Sequence, residues 1–447
     1  MGSSLAFIDG SVVNVALPSL ATDLKVAPAG LSWTINAYLL PLGALILLGG
    51  ALGDHFGRRR FFQIGLLTFT LASVGCAAAP SVAWLLAARA LQGLGAALLM
   101  PNSLVLLGGG FTGEARGRAI GSWAAAGALA GALGPIVGGW LVDTIGWRTI
   151  FLLNVPIAAG AAYLTWRYVE EHKELRGAAP LDGVGAGLVT VALGLLTWAL
   201  TRASQAGAGR SASWSAALAG GVLLGVFLWH ERKLGGRAIM PFAMFSSSTF
   251  VGLTLLTFFL YGSLGGLLVL LPFYLIRILT WPAIAAGAAL LPVPVLIGLG
   301  SRFMGKVASR RGARRPLALG AGVVGVGLAL YAKIPADDAG YWLDIFPPTL
   351  LVALGMGACV APLTTAVLSS VDASHVGLAS GFNSAVARIA GLVATALLGF
   401  VFARQDSSAS FMVGFRLAAW IGAASALSAA SFALYLLKPQ DLKAAPS

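Results

Sequence analysis

Apolar stretches of roughly 20 residues recur along this chain, and each, wound as a helix, is long enough to cross about 30 Å of hydrocarbon. Hydropathy gives fourteen of them: approximately Ser3 to Ala21, Leu31 to Leu52, Phe61 to Ala79, Val82 to Leu107, Ala119 to Leu141, Trp147 to Tyr168, Gly183 to Thr201, Trp214 to His230, Thr249 to Ile276, Trp281 to Phe303, Pro316 to Lys333, Ile345 to Leu368, Gly377 to Phe402 and Phe411 to Leu437. Of 447 residues, 58% are hydrophobic and 10% charged, less than half the charge of an ordinary soluble domain. The expected fold class is an all-α polytopic membrane protein with 14 transmembrane helices, surrounded by the lipid bilayer. An even number of crossings places both termini on one side.

Basic residues say which side. Connections after even-numbered spans, with the C-terminal tail, hold nineteen lysines and arginines, and the opposite connections hold seven. The positive-inside rule therefore expects both termini in the cytoplasm and the chain in the cell membrane. The net charge of +13 reflects that orientation and needs no nucleic acid as partner.

Several chemistries find no residues to carry them. Cys76 and Cys359 both fall inside spans, which leaves neither a disulfide framework nor a metal-ligand spacing. His55, His172, His230 and His375 fall at or near the expected cytoplasmic ends, so no imidazole lies deep in the membrane to relay protons. The run Glu170 to Glu174 reads as a solvated loop. No basic leader with a cleavage site precedes the first span, and a removable signal peptide is not expected. No nucleophile with a base and no buried catalytic pair is found, so the expectation is a protein that is not an enzyme and has no cofactor.

An internal repeat organises the spans. "GALGDHFGRRR" (Gly50 to Arg60) and "GKVASRRGARR" (Gly305 to Arg315) place Gly305, Gly312, Arg314 and Arg315 as Gly50, Gly57, Arg59 and Arg60 stand in the first copy. Both join an even span to an odd one on the same face, which reads as duplication. Spans one to six then correspond to spans nine to fourteen, and spans seven and eight are inserted. The expected domains are residues 1–169, a six-helix bundle; 170–240, a linker and two extra helices; and 241–447, a second six-helix bundle.

Four segments carry unusual chemistry for a membrane interior. In Gly50 to Arg60, the glycines Gly50, Gly53 and Gly57 permit tight turning, Asp54 suits a positive helix terminus, and Arg58 or Arg59 can pair with acids across the seam between the halves. "FIDGSVVNVALP" (Phe7 to Pro18) carries Asp9 and Asn14; an ionisable group within a span is costly and by default functional. Only eight residues precede Asp9, which leaves two placements open, deep in the span or close to its boundary. "RALQGLGAA" (Arg89 to Ala97) sets Arg89 and Gln92 beside small residues that favour a closely packed, inward face. "GPIVGG" (Gly134 to Gly139) combines Pro135, which bends a helix, with Gly134, Gly138 and Gly139, which admit a close neighbour; Gly121 extends the pattern.

Together these segments resemble the major facilitator superfamily and, within it, the fourteen-helix drug:proton antiporters, over nearly the whole chain. The resemblance implies two halves rocking around a site near the bilayer midplane. It implies that Asp9 carries the coupled proton, that Arg89 senses its protonation, that Gly50 to Arg59 form a conformational lock, and that Gly121 to Gly139 form the antiporter helix motif. Softer matches place Tyr38 and Arg388, with Asn14 and Gln92, along the substrate cavity. His55 and Ser309 depart from the family pattern, and the lock is expected to be asymmetric.

The function so expected is proton-coupled efflux of small lipophilic or amphiphilic compounds, driven by a proton gradient, by a chain acting as a monomer. Arg89 and Arg388 stand against Asp9 alone among charges deep in spans, so neutral, singly charged or anionic amphiphiles suit the inventory better than dications. Two alternatives stay open: an exporter of lipids or metabolites with the same architecture, and a transport-inactive sensor or assembly partner.

Overall fold

A computed structural model describes residues 2–25, 28–109, 113–169, 171, 182–203, 210–235, 238, 240, 242–336, 338–371, 376–402 and 408–438; within its helices the side chains of 28, 29, 104, 107–109, 113–125, 128, 210, 302, 309, 376 and 377 fall outside the description. All regular structure among these residues is helical: α1 Gly2–Asp23, α2 Pro28–Phe56, α3 Arg58–Ala77, α4 Val82–Gly109, α5 Gly113–Thr144, α6 Thr149–Leu152, α7 Asn154–Tyr168, α8 Gly183–Ala203, α9 Arg210–Leu234, α10 Ser248–Arg277, α11 Ala283–Ala289, α12 Pro292–Arg311, α13 Arg314–Tyr331, α14 Phe346–Ser369, α15 Val376–Phe402 and α16 Ser408–Leu436. Short turns of tighter and wider helix, Phe242–Ser246 and Tyr341–Ile345, lead into α10 and α14.

Twelve segments among the described residues are long and apolar enough to cross a membrane. The hydropathy reading had fourteen. The two remaining helices are α5, whose described apolar part is only Leu129–Thr144, and α13, 18 residues that open on Arg314 and Arg315. Helix bounds follow the expected spans closely except in α5, which starts six residues before the expected Ala119, and in α12, which runs on to Arg311, eight residues past the expected Phe303. Two spans are interrupted. The sixth is split at Leu153 into α6 and α7, and the tenth breaks between α11 and α12, where Pro292 has no N–H to continue the ladder.

Glycine sets how closely the helices approach. Helix α4 lies between α2 and α3: a Cβ on Gly93 would meet Pro41 at 2.7 Å, and one on Gly95 would stand 2.6 Å from the Phe69 nitrogen. The outward faces are oily, with Leu67, Leu71, Trp166, Trp214 and Leu319 more than 60% exposed, as expected for surfaces facing lipid rather than water. The two arginine-rich copies share a backbone device. Gly57 has φ +109 between α2 and α3, and Gly312 has φ +82 between α12 and α13. Each donates its N–H four residues back, to Gly53 and Ala308, in a conformation that only glycine adopts cheaply.

Helices before residue 170 and after residue 241 meet along three seams: α1 with α10, α2 with α15, and α5 with α11 and α12. Helices α8 and α9 pair with one another, and α8 lies against both α2 and α15. One apolar core runs through the α1–α10 seam, from Val12, Leu17 and Leu31 to Leu260, Leu267 and Tyr274. From residue 242 onward the interior is aromatic: Phe273 stacks on Phe411 at 5.6 Å and lies 4.9 Å from Phe402, and Tyr274 lies 5.2 Å from Phe415. No Asp, Glu, Lys or Arg among the described residues of that portion is buried.

Candidate functional site

The first portion holds its charge inside. Asp9, on α1, is wholly buried, and Arg89, on α4, is 1% exposed. They form an ion pair through Arg89 Nη1 and Asp9 Oδ2. Gln92 lies one turn from Arg89 on the same helical face. It accepts from Arg89 Nη1 at 2.8 Å and donates to Asp9 Oδ1 at 2.9 Å, so both carboxylate oxygens are engaged.

Neighbouring helices complete the network. Gln92 Nε2 also donates to Ser73 Oγ on α3 at 3.1 Å; Ser73 accepts from Asn154 Nδ2 of α7 at 2.9 Å and donates to the Phe151 carbonyl of α6 at 2.9 Å. Arg89 Nε donates to the Thr34 carbonyl of α2 at 3.1 Å, and its guanidinium carbon lies 4.5 Å from the Tyr38 ring centroid and 5.8 Å from that of Phe151. Tyr38 in turn donates to the Ala6 carbonyl of α1 at 3.3 Å. Six helices thus converge on one carboxylate. Burying two charges costs several kcal/mol each unless they are paired and their remaining groups bonded; here that condition is met. A proton added to Asp9 would cancel one of the two charges and leave Arg89 buried without its counter-ion.

Of the residues expected from sequence, the structure brings Asp9, Arg89, Gln92 and Tyr38 into this cluster. Asp9 is the eighth residue of α1 and is wholly buried within the bundle. Ser73, Thr34, Asn154 and Cys76, whose thiol lies 3.7 Å from Gln92 Oε1, belong to it as well and were missed. Arg388 and Asn14 stand apart. Arg388, partly buried on α15, crosses the seam to lie 5.8 Å from the Phe7 ring on α1 and 3.7 Å from the Met100 sulfur on α4. Asn14 turns back to the Gly10 carbonyl at 3.5 Å, and Gly10 is exposed.

The glycine–proline segment of α5 is held between the two portions of the chain. A Cβ on Gly134 or Gly138 would run into Ser11 or Val12 of α1; one on Gly139 would run into the Ala283 carbonyl of α11, and one on Gly287 of α11 into the Pro135 carbonyl. Asp143, one turn beyond Gly139, accepts the N–H groups of Ala283 at 3.1 Å and Ile284 at 2.9 Å. The side-chain-free surroundings expected of Gly121 lie outside the described residues.

The Gly50 to Arg60 turn is tied mostly within its own portion. Asp54 pairs with Arg58 one helical turn on. Of Arg58 and Arg59, either of which could pair across the seam, Arg59 donates to the Trp166 carbonyl of α7 at 2.9 Å, and Glu171 accepts the backbone N–H groups of Arg59 and Arg60. The reason is proximity: the chain leaving α7 returns beside the start of α3, where free helical N–H groups attract a carboxylate. Gly50 lies 3.4 Å, measured to its hypothetical Cβ, from Pro101, and Gly53 faces Asn102 of α4.

Twelve apolar membrane-length helices, packed as two abutting portions with a buried ion pair in one of them, define a polytopic membrane protein. The chain belongs to the Major Facilitator Superfamily, whose family model matches residues 1–395. It is 33% identical over 408 residues to the multidrug resistance protein Stp of Mycobacterium tuberculosis (strain ATCC 25618 / H37Rv), covering 90% of this chain and 74% of that one. It is 32% identical over 440 residues to the methylenomycin A resistance protein of Bacillus subtilis (strain 168), covering 98% and 92%. Among solved structures, the fold is similar to a D-xylose-proton symporter (TM-score 0.70, 16% identity, 99% of this chain and 97% of that one). It is also similar to a bacterial homologue of the human lysosomal transporter Spinster (TM-score 0.67, 16% identity, covering 99% and 96%).

Proposed function

We propose that this chain is a proton-coupled antiporter that exports small lipophilic or amphiphilic compounds by alternating access. The observation that carries the reading is the buried Asp9–Arg89 pair, which sits on the α1 that also forms a seam with α10. With Asp9 ionised, Arg89 is neutralised and both carboxylate oxygens are engaged. With Asp9 protonated, the charge of Arg89 must find another partner, and the packing of α1 against its neighbours changes with it. Substrate leaving in exchange for that proton completes a cycle in which a proton gradient is the only driving force.

In this reading α5 and α13 cross the membrane too, giving fourteen crossings, two six-helix halves and the α8–α9 pair inserted between them. Both termini face the cytoplasm, as the excess of basic residues on that side supports. The α5–α11 contact is then the outer seal, and Gly50 to Arg59 lie on the cytoplasmic face. Arg388, Phe7, Asn14 and Tyr38 line the substrate path. One arginine with no carboxylate beside it favours neutral or singly anionic amphiphiles over dications. The relatives named for multidrug and methylenomycin A resistance support export as the direction.

The test is counterflow or efflux of a compound panel from proteoliposomes, with and without an imposed pH gradient, in wild type and Asp9→Asn. Gradient-dependent movement of at least one lipophilic compound, lost in Asp9→Asn, is expected. Full biological effect of Asp9→Asn, or the same efflux without any gradient, would overturn the reading.

A further inference from the structure

A second set of titratable groups is buried far from Asp9. Asp182, just ahead of α8, is 6% exposed, and Glu231, near the end of α9, is 0% exposed. Each carboxyl has one oxygen anchored by backbone. Asp182 Oδ1 accepts the Gly185 N–H at 2.8 Å, the usual N-cap bond, and Glu231 Oε2 accepts the Met240 N–H at 2.6 Å. His230 Nε2 adds a contact of 3.0 Å to Asp182 Oδ1.

The other two oxygens, Asp182 Oδ2 and Glu231 Oε1, are both aimed over Gly185, where any Cβ would run into them. Among the described residues, neither has a donor other than the opposite carboxyl. Two ionised carboxylates have only acceptors to offer each other, and such a pair in a dry site keeps one proton between them. We propose that Asp182 and Glu231 form a second proton-binding site, holding one shared proton at the foot of the α8–α9 hairpin.

The proton belongs on Glu231. Burial works against charge on Asp182, but the Gly185 N–H, His230 and Glu231 together outweigh it and hold the Asp182 carboxyl below its usual range. The groups that face one another are Asp182, His230 and Glu231; α2 and α15, which pack on α8, bring no further charge to bear on them. Nor do the three form a metal-ligand set among the described residues. Losing the proton would set two like charges together where α8 and α9 meet, and α8 is the helix that lies across both α2 and α15, the helices of one seam. The site thereby links acidity on the face of the Gly50 to Arg60 turn to the packing of that seam.

Infrared spectroscopy on the full-length protein, isotope-labelled at the glutamate side-chain carboxyl, reads this directly, and Asp9 carries no label. One of the chain's five glutamates should show a protonated carboxyl band at neutral pH. The band should vanish in Glu231→Gln, persist in Asp9→Asn, and fade as pH rises, together with heat stability in wild type but not in Glu231→Gln. A wild-type spectrum with every glutamate ionised at neutral pH overturns the inference, as does a band that survives Glu231→Gln. Should that variant fail to fold, Asp182→Asn replaces the charged partner by an amide and must shift the band; an unshifted band overturns the inference. None of these outcomes depends on whether Asp9 couples transport.

Discussion

Arg89 is gripped from two sides, by the carboxylate of Asp9 and by the face of Tyr38 at 4.5 Å. A guanidinium held by a carboxylate and a ring is desolvated and oriented at once, so its response to losing the carboxylate is a change of position rather than of hydration.

Asp9→Asn keeps a carbonyl for Arg89 while removing the titratable charge. Gradient-driven efflux is expected to fall at least ~tenfold, about 1.4 kcal/mol or more in coupling, with the purified protein still folded by thermal denaturation. Arg89→Ala leaves a buried carboxylate unpaired and should destabilise by about 3–5 kcal/mol. The double variant Asp9→Asn with Arg89→Ala should recover part of that loss, and a strictly additive cycle would argue against the pair.

Gly139→Leu puts a side chain where α5 touches the Ala283 carbonyl. Overpacking of this kind costs about 1–3 kcal/mol, and here the cost falls on the state in which α5 and α11 are in contact. Faster passive proton leak into proteoliposomes and greater labelling of a cysteine placed beside the contact are expected. Unchanged leak and labelling would show that the glycine is not needed for the seal.

Asp143→Ala removes the acceptor for two N–H groups of α11. A lost cap of this type is worth about 1–2 kcal/mol, enough to change the ratio of contacted to separated α5–α11 ends roughly five- to thirtyfold. Distances between spin labels on these two ends should shift toward the longer population. A distribution like that of wild type would assign the seal to glycine packing alone.

Arg388→Gln removes the positive charge that reaches Phe7 and Met100. Efflux of singly anionic amphiphiles should drop about tenfold, the value of one charge-assisted contact, while neutral dyes retain their rates. Equal loss for both classes would give Arg388 a structural role.

The sequence made the central pair legible because charge inside an apolar run is conspicuous: Asp9, Arg89 and Gln92 stand out from spans of leucine, alanine and glycine. Ser73 and Asn154 did not, since a hydroxyl or amide in a span is ordinary, and only the meeting of α3, α6 and α7 at Gln92 gives them a task. The close fit of Gly139 was expected from its spacing, whereas its partner Ala283 lies 144 positions away and no local pattern joins them. Which partner Arg58 or Arg59 meets has no address in the sequence; the contact of Glu171 with the Arg59 and Arg60 N–H groups is visible only once the chain returns beside α3. The Asp182–Glu231 pair was hidden for the same reason, two acids 49 positions apart that become neighbours only when α8 and α9 fold back together.

The aromatic interior beyond residue 242 has a consequence for how such a molecule diversifies. The phenylalanine rings Phe273, Phe402 and Phe411 carry no titratable group, so substitutions among them reshape an apolar interior without adding or removing charge. Drift among those phenylalanines leaves the charge balance around Asp9 and Arg89 untouched.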